Sequence, residues 1–407
     1  MAIKAGQILH VAGIGTGYVI DRIQSGGATS LNIPEEKIYE LGNYQTVATV
    51  RDIPDLSFDM ESFDTSTEWE GLLTGQDGVG TAGQGFDFAD HIPLDVISPF
   101  KDKGGSFSTI RGIAIPYLNL ESMTYRFGVG QNATQQATLK GDGIYYIPGT
   151  PYSQQFTVTA GANQTYTLTN TAIPYVESGD TLYALSVCAK NPSTGVYKRL
   201  FFGENYTNTS TVVTVIDDLA TLGYTKLHVV YGSATTATYA QTVHPSDTVK
   251  PAAVRAKDID VYVSDGAATP ALVRWRGVQD FEVTRRVNLD RDEEFGNAHV
   301  VSQDYDTADV TGTITVKPED AEYLFSLIQQ VANVPTNEVA GALTSEALAV
   351  ELRINHPQTG ARVKTLYVSD ARIQVPAVQG RVQQKLTTQF TFTSDGGNLV
   401  VYNGARP

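Results

Sequence analysis

The chain repeats itself. Residues 40–73 (ELGNYQTVATVRDIPDLSFDMESFDTSTEWEGLL), moved forward by 254 positions, land on 294–327 (EFGNAHVVSQDYDTADVTGTITVKPEDAEYLFSL). Glu40, Gly42, Asn43, Val47, Asp52 and Asp55 meet Glu294, Gly296, Asn297, Val301, Asp306 and Asp309, six identities in sixteen gapless positions. A second block follows at a shift of 253, where Gln131, Thr134, Gln136, Thr138, Asp142 and Gly143 meet Gln384, Thr387, Gln389, Thr391, Asp395 and Gly396. Chance agreement between Thr- and Asp-rich β segments does not easily keep two blocks in order with shifts one residue apart. Duplication is the better explanation, and it constrains the architecture before any local motif does.

A length of 407 residues gives room for two or three domains. Charge divides the chain. Residues 1–150 hold 18 acidic and 9 basic side chains, 151–250 hold 6 and 5, and 251–407 hold 20 and 15. The nearly neutral middle carries 19 Thr and 9 of the 21 Tyr. We therefore expect one copy of the repeated module at 1–150, an inserted domain at 151–250 and the second copy at 251–407. A net charge of −15 argues against a sequence-specific nucleic-acid binder with a basic patch. The N-terminal stretch lacks the apolar core of a signal peptide, and Cys188 is the single cysteine, so a reducing cytoplasm is the expected place of synthesis.

Period-2 alternation marks the strands. In 56–62, Leu56, Phe58 and Met60 share one face, and Ser57, Asp59 and Glu61 the other. Residues 310–316 repeat that phase, with Val310, Ile314 and Val316 apolar, Gly312 in place of Phe58, and Thr311, Thr313 and Thr315 polar. Gln136 and Thr138 match Gln389 and Thr391, again as polar positions between apolar ones. A helix is expected over 64–73, capped by Thr65 and Glu68, striped by Trp69, Leu72 and Leu73, and ended by Gly75. Its counterpart starts at Pro318 with Ala321, Leu324, Phe325 and Ile328 as the stripe. Residues 32–39 read as irregular, 74–90 as a long mobile Gly-rich loop, and 107–115 and 118–127 as separate strands. The middle segment shows about six short strands, the mark of a small β-sandwich. The fold class expected is mainly β with one flanking helix per repeat.

Sites for chemistry are not evident. Gly13, Gly15 and Gly17 miss dinucleotide-loop spacing, because Tyr18 stands where the third glycine belongs. Asp52 with Asp55, and Asp306 with Asp309, read as turn-forming and solvated rather than calcium-binding. The six histidines show no metal-ligand spacing, and no nucleophile has a recognisable histidine partner. No catalytic residue, cofactor or metal is expected, and the chain is not expected to be an enzyme.

The stretches YELGNYQTVATVRDIPDLSFDMES and IRGIAIPYLNLESMTYRFG in the first copy, and VQDFEVTRRVNLDRDEEFGN and TGTITVKPEDAEYLFSLI in the second, carry a resemblance. Their order resembles the tail tube (major tail) protein of long-tailed bacteriophages, over about three quarters of the chain. That resemblance implies a module whose copies close into β-barrel rings, stacked as a conduit for DNA from capsid to host. It also implies a virion tail assembled in the host cytoplasm, with tape-measure, tail terminator and tail-tip proteins as partners and no membrane insertion. Two copies per chain imply a homotrimer with a pseudo-sixfold ring, and the insert an immunoglobulin-like domain on its exterior. On this reading Ser57, Asp59, Glu61, Gln136, Thr138, Thr311, Thr313, Thr315, Gln389 and Thr391 line the lumen. Gly75, Gln76, Asp77, Gly85, Phe86 and Asp87 contribute to ring stacking. A neutral or acidic lumen suits passing double-stranded DNA, because a basic one would bind phosphates through counterion release. The competing reading is a multi-domain β-sandwich adhesin or surface-binding protein.

Overall fold

The computed structural model describes residues 9–12, 18–20, 23–38, 48–51, 53–63, 66–74, 81–88, 93–99, 112–177, 179–191, 196–235, 253–264, 272–292, 299–300, 302–317, 348–374, 378–379, 387–394 and 396–407. The fold is mainly β. The first part of the chain holds β1 (Leu9–Ala12), β2 (Tyr18–Ile20), β3 (Ile23–Asn32), β4 (Glu35–Ile38), β5 (Ala48–Arg51) and β6 (Asp55–Phe63). A short helix, α1 (Glu68–Leu73), precedes β7 (Gly85–Asp87), β8 (Leu94–Pro99), β9 (Gly112–Gly128), β10 (Thr134–Gly141) and β11 (Tyr145–Ile147). The middle holds β12 (Thr150–Thr157), β13 (Gln164–Thr167), β14 (Tyr175–Glu177), β15 (Asp180–Leu182) and β16 (Ser186–Asn191). It continues with β17 (Val196–Leu200), β18 (Tyr206–Asn208), β19 (Val212–Val215) and β20 (Lys226–Ser233). The last part holds β21 (Ile259–Ser264), β22 (Val273–Trp275), β23 (Val278–Asp292), β24 (Ser302–Val316) and β25 (Leu348–Asn355). It ends with β26 (Arg362–Gln374), β27 (Val378–Gln379), β28 (Thr387–Ser394) and β29 (Leu399–Asn403).

Eight strands lie side by side and antiparallel in the order β3-β6-β10-β9-β23-β24-β28-β26. The second four repeat the order of the first four. The flanking strands repeat as well. β8 and β11 pair with the first half of β9, β1 with β8, and β2 with β1. Correspondingly, β25 and β29 pair with the first half of β26, β21 with β25, and β22 with β21. Register follows the sequence shift. Glu35↔Arg51 and Ile38↔Ala48 recur 254 residues on as Leu289↔Tyr305 and Asp292↔Ser302.

β9 and β26 each turn a corner at one residue. Tyr117 in β9 and Asp370 in β26, 253 positions apart, have φ of 58° and 54°, a region that costs a non-glycine residue about 1 kcal/mol or more. At Tyr117 the backbone N–H donates to Asp95 Oδ1 at 2.9 Å. This corrects the expected division of 107–127 into two strands. From Gly112 to Gly128 the strand is continuous, and Pro116–Tyr117 is its bend rather than its end.

Alternation explains the core. Leu56, Phe58 and Met60 are buried, as are Ala137, Leu139, Met123, Tyr125, Phe281, Val283, Ile314, Phe390 and Phe392, so one face of the eight-stranded run is apolar. The two repeats share a single core, to which β8, β21, β25, β29 and α1 also contribute. Full burial of such side chains contributes about 1.5–3 kcal/mol each. Aromatic rings bridge the repeats, with Phe127–Phe281 at 6.2 Å and Phe281–Phe392 at 6.1 Å between centroids. Gly312 is part of that packing, because a Cβ there would overlap the Phe392 ring. Gly312→Ala should therefore lower stability by about 1–3 kcal/mol through overpacking, read as a shifted chemical-denaturation midpoint.

Four local expectations are corrected. The helix begins at Glu68 behind Thr67, which makes no side-chain cap, so a Thr65–Glu68 capping box does not start it. A helix of six residues is held by packing, here of Trp69, Leu72 and Leu73. Residues 35–38 form a ladder with 48–51 rather than an irregular segment. Gly85–Asp87 is strand β7, paired with β29, and Phe86 is wholly buried. Asp55 and Asp309 also lie within β6 and β24 rather than in turns. The counterpart helix from Pro318, and the cluster Gly75, Gln76 and Asp77, fall outside the described residues.

The middle segment is a two-sheet sandwich. One sheet runs β12-β20-β16-β17 and the other β13-β19-β18, and side chains of both meet in a core of their own. The first strand of the segment, β12, pairs with its last, β20.

Candidate functional site

All ten polar positions singled out in the sequence lie on one face of the eight-stranded run. Register places them opposite one another. Asp59 faces Thr138 and Glu61 faces Gln136. Thr311, Thr313 and Thr315 face Thr393, Thr391 and Gln389. Ser57 faces Lys140. The seam between the halves completes the row, since Gln136 faces Thr124, Thr124 faces Thr284, and Thr284 faces Thr311. Apart from Thr124, which is buried at the seam, these residues are partly or fully exposed, whereas their chain neighbours are buried.

Cross-strand bonds tie the face together. Thr138 donates to Asp59 at 2.7 Å, Thr124 and Thr284 share a hydroxyl contact at 2.9 Å, and Thr391 donates to Gln374 at 3.3 Å. Among the described residues it carries four cations, Lys140, Arg126, Arg286 and Arg372. Arg126 pairs with Glu282 at 3.3 Å, and Lys140 lies 3.8 Å from Asp55 and 4.0 Å from Glu121. Exposed pairs of this kind contribute about 0–1 kcal/mol, so the face is shaped more by its strands than by its charges. Short hydroxyl and amide side chains, with carboxylates on β6, β23 and β24 set among these four cations, make it a hydrated surface.

Behind this face, three carboxylates of the first repeat hold the other parts of the chain. Glu70 on α1 accepts from Lys364 on β26 and, at 2.6 Å, from Tyr125 Oη. Asp142 accepts from Arg199 on β17 and, at 3.0 Å, from the Val300 N–H, and lies 3.2 Å from His299 Nδ1. Asp95 on β8 lies 2.7 Å from His228 Nδ1 and 4.0 Å from Lys190 Nζ of the middle sandwich. Burial works against ionising Asp95, but His228, Lys190 and the Tyr117 N–H more than offset it and hold its pKa at about 2. Burial likewise opposes Asp142, and Arg199, His299 and the Val300 N–H hold it at about 2. Burial pushes His228 below its ordinary value, with Asp95 opposing and Lys190 adding to the shift.

Sequence reasoning missed this geometry. Ser153 Oγ contacts His228 Nε2, so Ser153, His228 and Asp95 follow one another in the order of an acyl-transfer triad. Lys190 Nζ, however, stands 3.1 Å from the same Nδ1 that faces Asp95, and the imidazole is 2% exposed between two sheets. A clamp between β8 and the sandwich accounts for every one of these contacts. The sequence signal was the apolar setting of His228 in KLHVVY, where it alternates with Leu227 and Val229 and so faces away from the sandwich core. Among the described residues no cluster of three His, Cys, Asp or Glu could hold a metal, and no helix is long and apolar enough to cross a membrane.

No protein-family model matches the chain, and no curated protein matches it. Among solved structures, it is similar to a chain of the anti-feeding prophage (AFP) baseplate determined by cryo-EM with 6-fold symmetrisation. The match is 12% identical, covers 36% of this chain and 92% of that one, and has a TM-score of 0.26, too low to carry the fold across.

Proposed function

We propose that this chain is a structural protein of a phage-type virion tail, whose copies close into stacked rings of the tail tube and form a conduit for double-stranded DNA. The observation that carries this reading is the single polar face, built twice over from the same four-strand order. Three chains would supply six such units, and closure would leave no open edge. The polar face would form the lumen, where Ser, Thr and Gln, with the carboxylates of Asp55, Asp59, Glu61, Asp280, Glu282 and Asp309 outnumbering Lys140, Arg126, Arg286 and Arg372, would repel phosphates rather than bind them. The middle sandwich, clamped behind the sheet by Asp95 and Asp142, would decorate the exterior. Asp87 of β7 remains exposed for ring stacking, whereas buried Phe86 would support that strand from within.

Electron microscopy of the purified protein tests the ring. Annular particles or tubes with an open channel are expected, and a monomer persisting at high concentration would sink the proposal. A second test concerns charge. Asp59→Lys with Glu61→Lys should leave ring formation intact, because both side chains point off the core, but should slow DNA ejection from assembled particles. Unchanged ejection would remove Asp59 and Glu61 from the lumen.

A further inference from the structure

The eight-stranded run has two ends. Among the described residues β3 pairs along one side only, with β6. Beyond Ala371, β26 and then β27 pair along one side only among the described residues, with β28. Inside the chain, the equivalents of these two edges already meet. β9 corresponds to β26–β27, β23 corresponds to β3, and β9 pairs with β23 over seven residues from Ser122↔Arg286 to Gly128↔Asp280. That internal seam is a template for what the free edges can do.

Resting on the ring reading above, we propose that β3 of one copy pairs antiparallel with β26–β27 of a second copy, with Asn32 opposite Gln374, Ala28 opposite Val378 and Gly27 opposite Gln379. The register is derived, not chosen. Ser122 and Gln374 are equivalent because they face Thr138 and Thr391, which are 253 positions apart. Tyr125 and Val378 are equivalent because they face Gln135 and Thr388, again 253 apart. On the other edge, Arg286 and Asn32 face Asp309 and Asp55, and Val283 and Ala28 face Gly312 and Phe58, each pair of partners 254 apart. Carrying the pairs Ser122↔Arg286, Tyr125↔Val283 and Arg126↔Glu282 across gives the three contacts named.

One detail speaks for a matched pair of edges. From Ser122 to Tyr125 the template advances three residues, but from Gln374 to Val378 the free edge advances four. From Val283 to Arg286 the template also advances three, and from Ala28 to Asn32 the other free edge advances four. Between these levels each free edge therefore advances one residue more than its template, on β26 because the bulge that β9 makes just before Ser122 comes after Gln374 instead. The residue sums 32+374, 28+378 and 27+379 are all 406, so the register runs through without a slip. An unmatched insertion on one edge would have shifted every pair beyond it.

The chemistry of β3 agrees. Its ten residues, IQSGGATSLN, contain no charge and no proline, the usual guards of an edge that stays free. Leu31 and the adjacent Ile33 are 48% and 43% exposed at the end of this edge. Its small residues permit close backbone approach, as strand addition requires. In the template the apolar side of the seam is closed by Phe127 and Phe281, so a dry strip beneath the ladder is the model for the contact between copies.

Cysteine cross-linking tests the register. Asn32→Cys and Gln374→Cys in one chain, mildly oxidised, should give dimers and trimers on a non-reducing gel. Seven strand steps of about 4.8 Å separate the two positions within a chain, far beyond disulfide reach. Cys188 is buried and serves as its own control in the parent chain. Asn32→Cys with Arg372→Cys, two residues out of register, should cross-link at least tenfold less. Equal cross-linking of the two pairs, an intramolecular product, or no covalent oligomer would each overturn the seam. Imaging of the same samples separates this from the ring reading. Rings without the expected disulfide defeat the seam alone, and disulfide-linked open chains without rings defeat the ring while supporting the seam.

Discussion

Lys364→Met should lower the free energy of unfolding by about 3–5 kcal/mol, the usual cost of removing one partner from a buried ion pair. Lys364 and Glu70 are both fully buried. The ammonium also donates to Gln135 Oε1 at 3.1 Å and the Ser66 carbonyl at 3.3 Å, and stands 4.6 Å from the Tyr125 ring centroid. Without it, Glu70 keeps Tyr125 as a donor but loses its counter-charge. Because Glu70 sits on α1 and Lys364 on β26, the loss would strike where the two repeats share their core. Glu70→Gln combined with Lys364→Met removes both charges, and the pair should recover at least half of the single variant's loss. Chemical denaturation of the two single variants and the double variant gives the coupling directly. A Lys364→Met protein within about 0.5 kcal/mol of the parent would show that the pair carries no structural weight.

Such pairs could not have been read from the sequence, and the reason is separation. Lys364 and Glu70 are 294 residues apart, and Val300 reaches Asp142 across 158. Nothing local marks a lysine whose partner lies in another repeat. What was legible had a local cause. Leu56, Phe58 and Met60 against Ser57, Asp59 and Glu61 declare a strand with one buried side, and the model keeps that phase in both copies. The shift of 254 went further, because it set the hairpin register on both sides of the repeated block. Errors arose where local chemistry pointed the wrong way. Residues 107–115 and 118–127 read as two strands, but β9 is continuous from Gly112, bends between them and changes partners. The glycines of 74–90 suggested a loop, although Phe86 and Phe88, two apart, carried the alternation of a strand and are both buried. The row across the polar face emerged only from pairing, which put residues of six separate strands side by side.

Acid should release the middle sandwich before it melts the shared core of the repeats. Asp95 and Asp142 have folded pKa values of about 2, below the ordinary 3.8, so the unfolded chain takes up protons that the folded chain refuses. Their contribution is whole above the ordinary carboxylate value of 3.8 and is lost as pH falls toward about 2. Each contributes about 2 kcal/mol by that linkage. His228, pushed down by burial, adds to the loss in the same direction, since it is stable neutral and must be protonated in acid. Both carboxylates join the first repeat to the sandwich, through His228 and Lys190 at one point and Arg199 at the other. Hydrogen exchange in β16, β17 and β20 should therefore accelerate between about pH 4 and 2 while the β9–β23 seam stays protected. Asp142→Asn supplies the control. It leaves Arg199 buried without its counter-charge, so about 3–5 kcal/mol should already be missing at neutral pH, and the remaining acid loss should shrink by the share of one carboxylate. An exchange profile flat from about pH 5 to 2 would mean that neither carboxylate holds the sandwich in place.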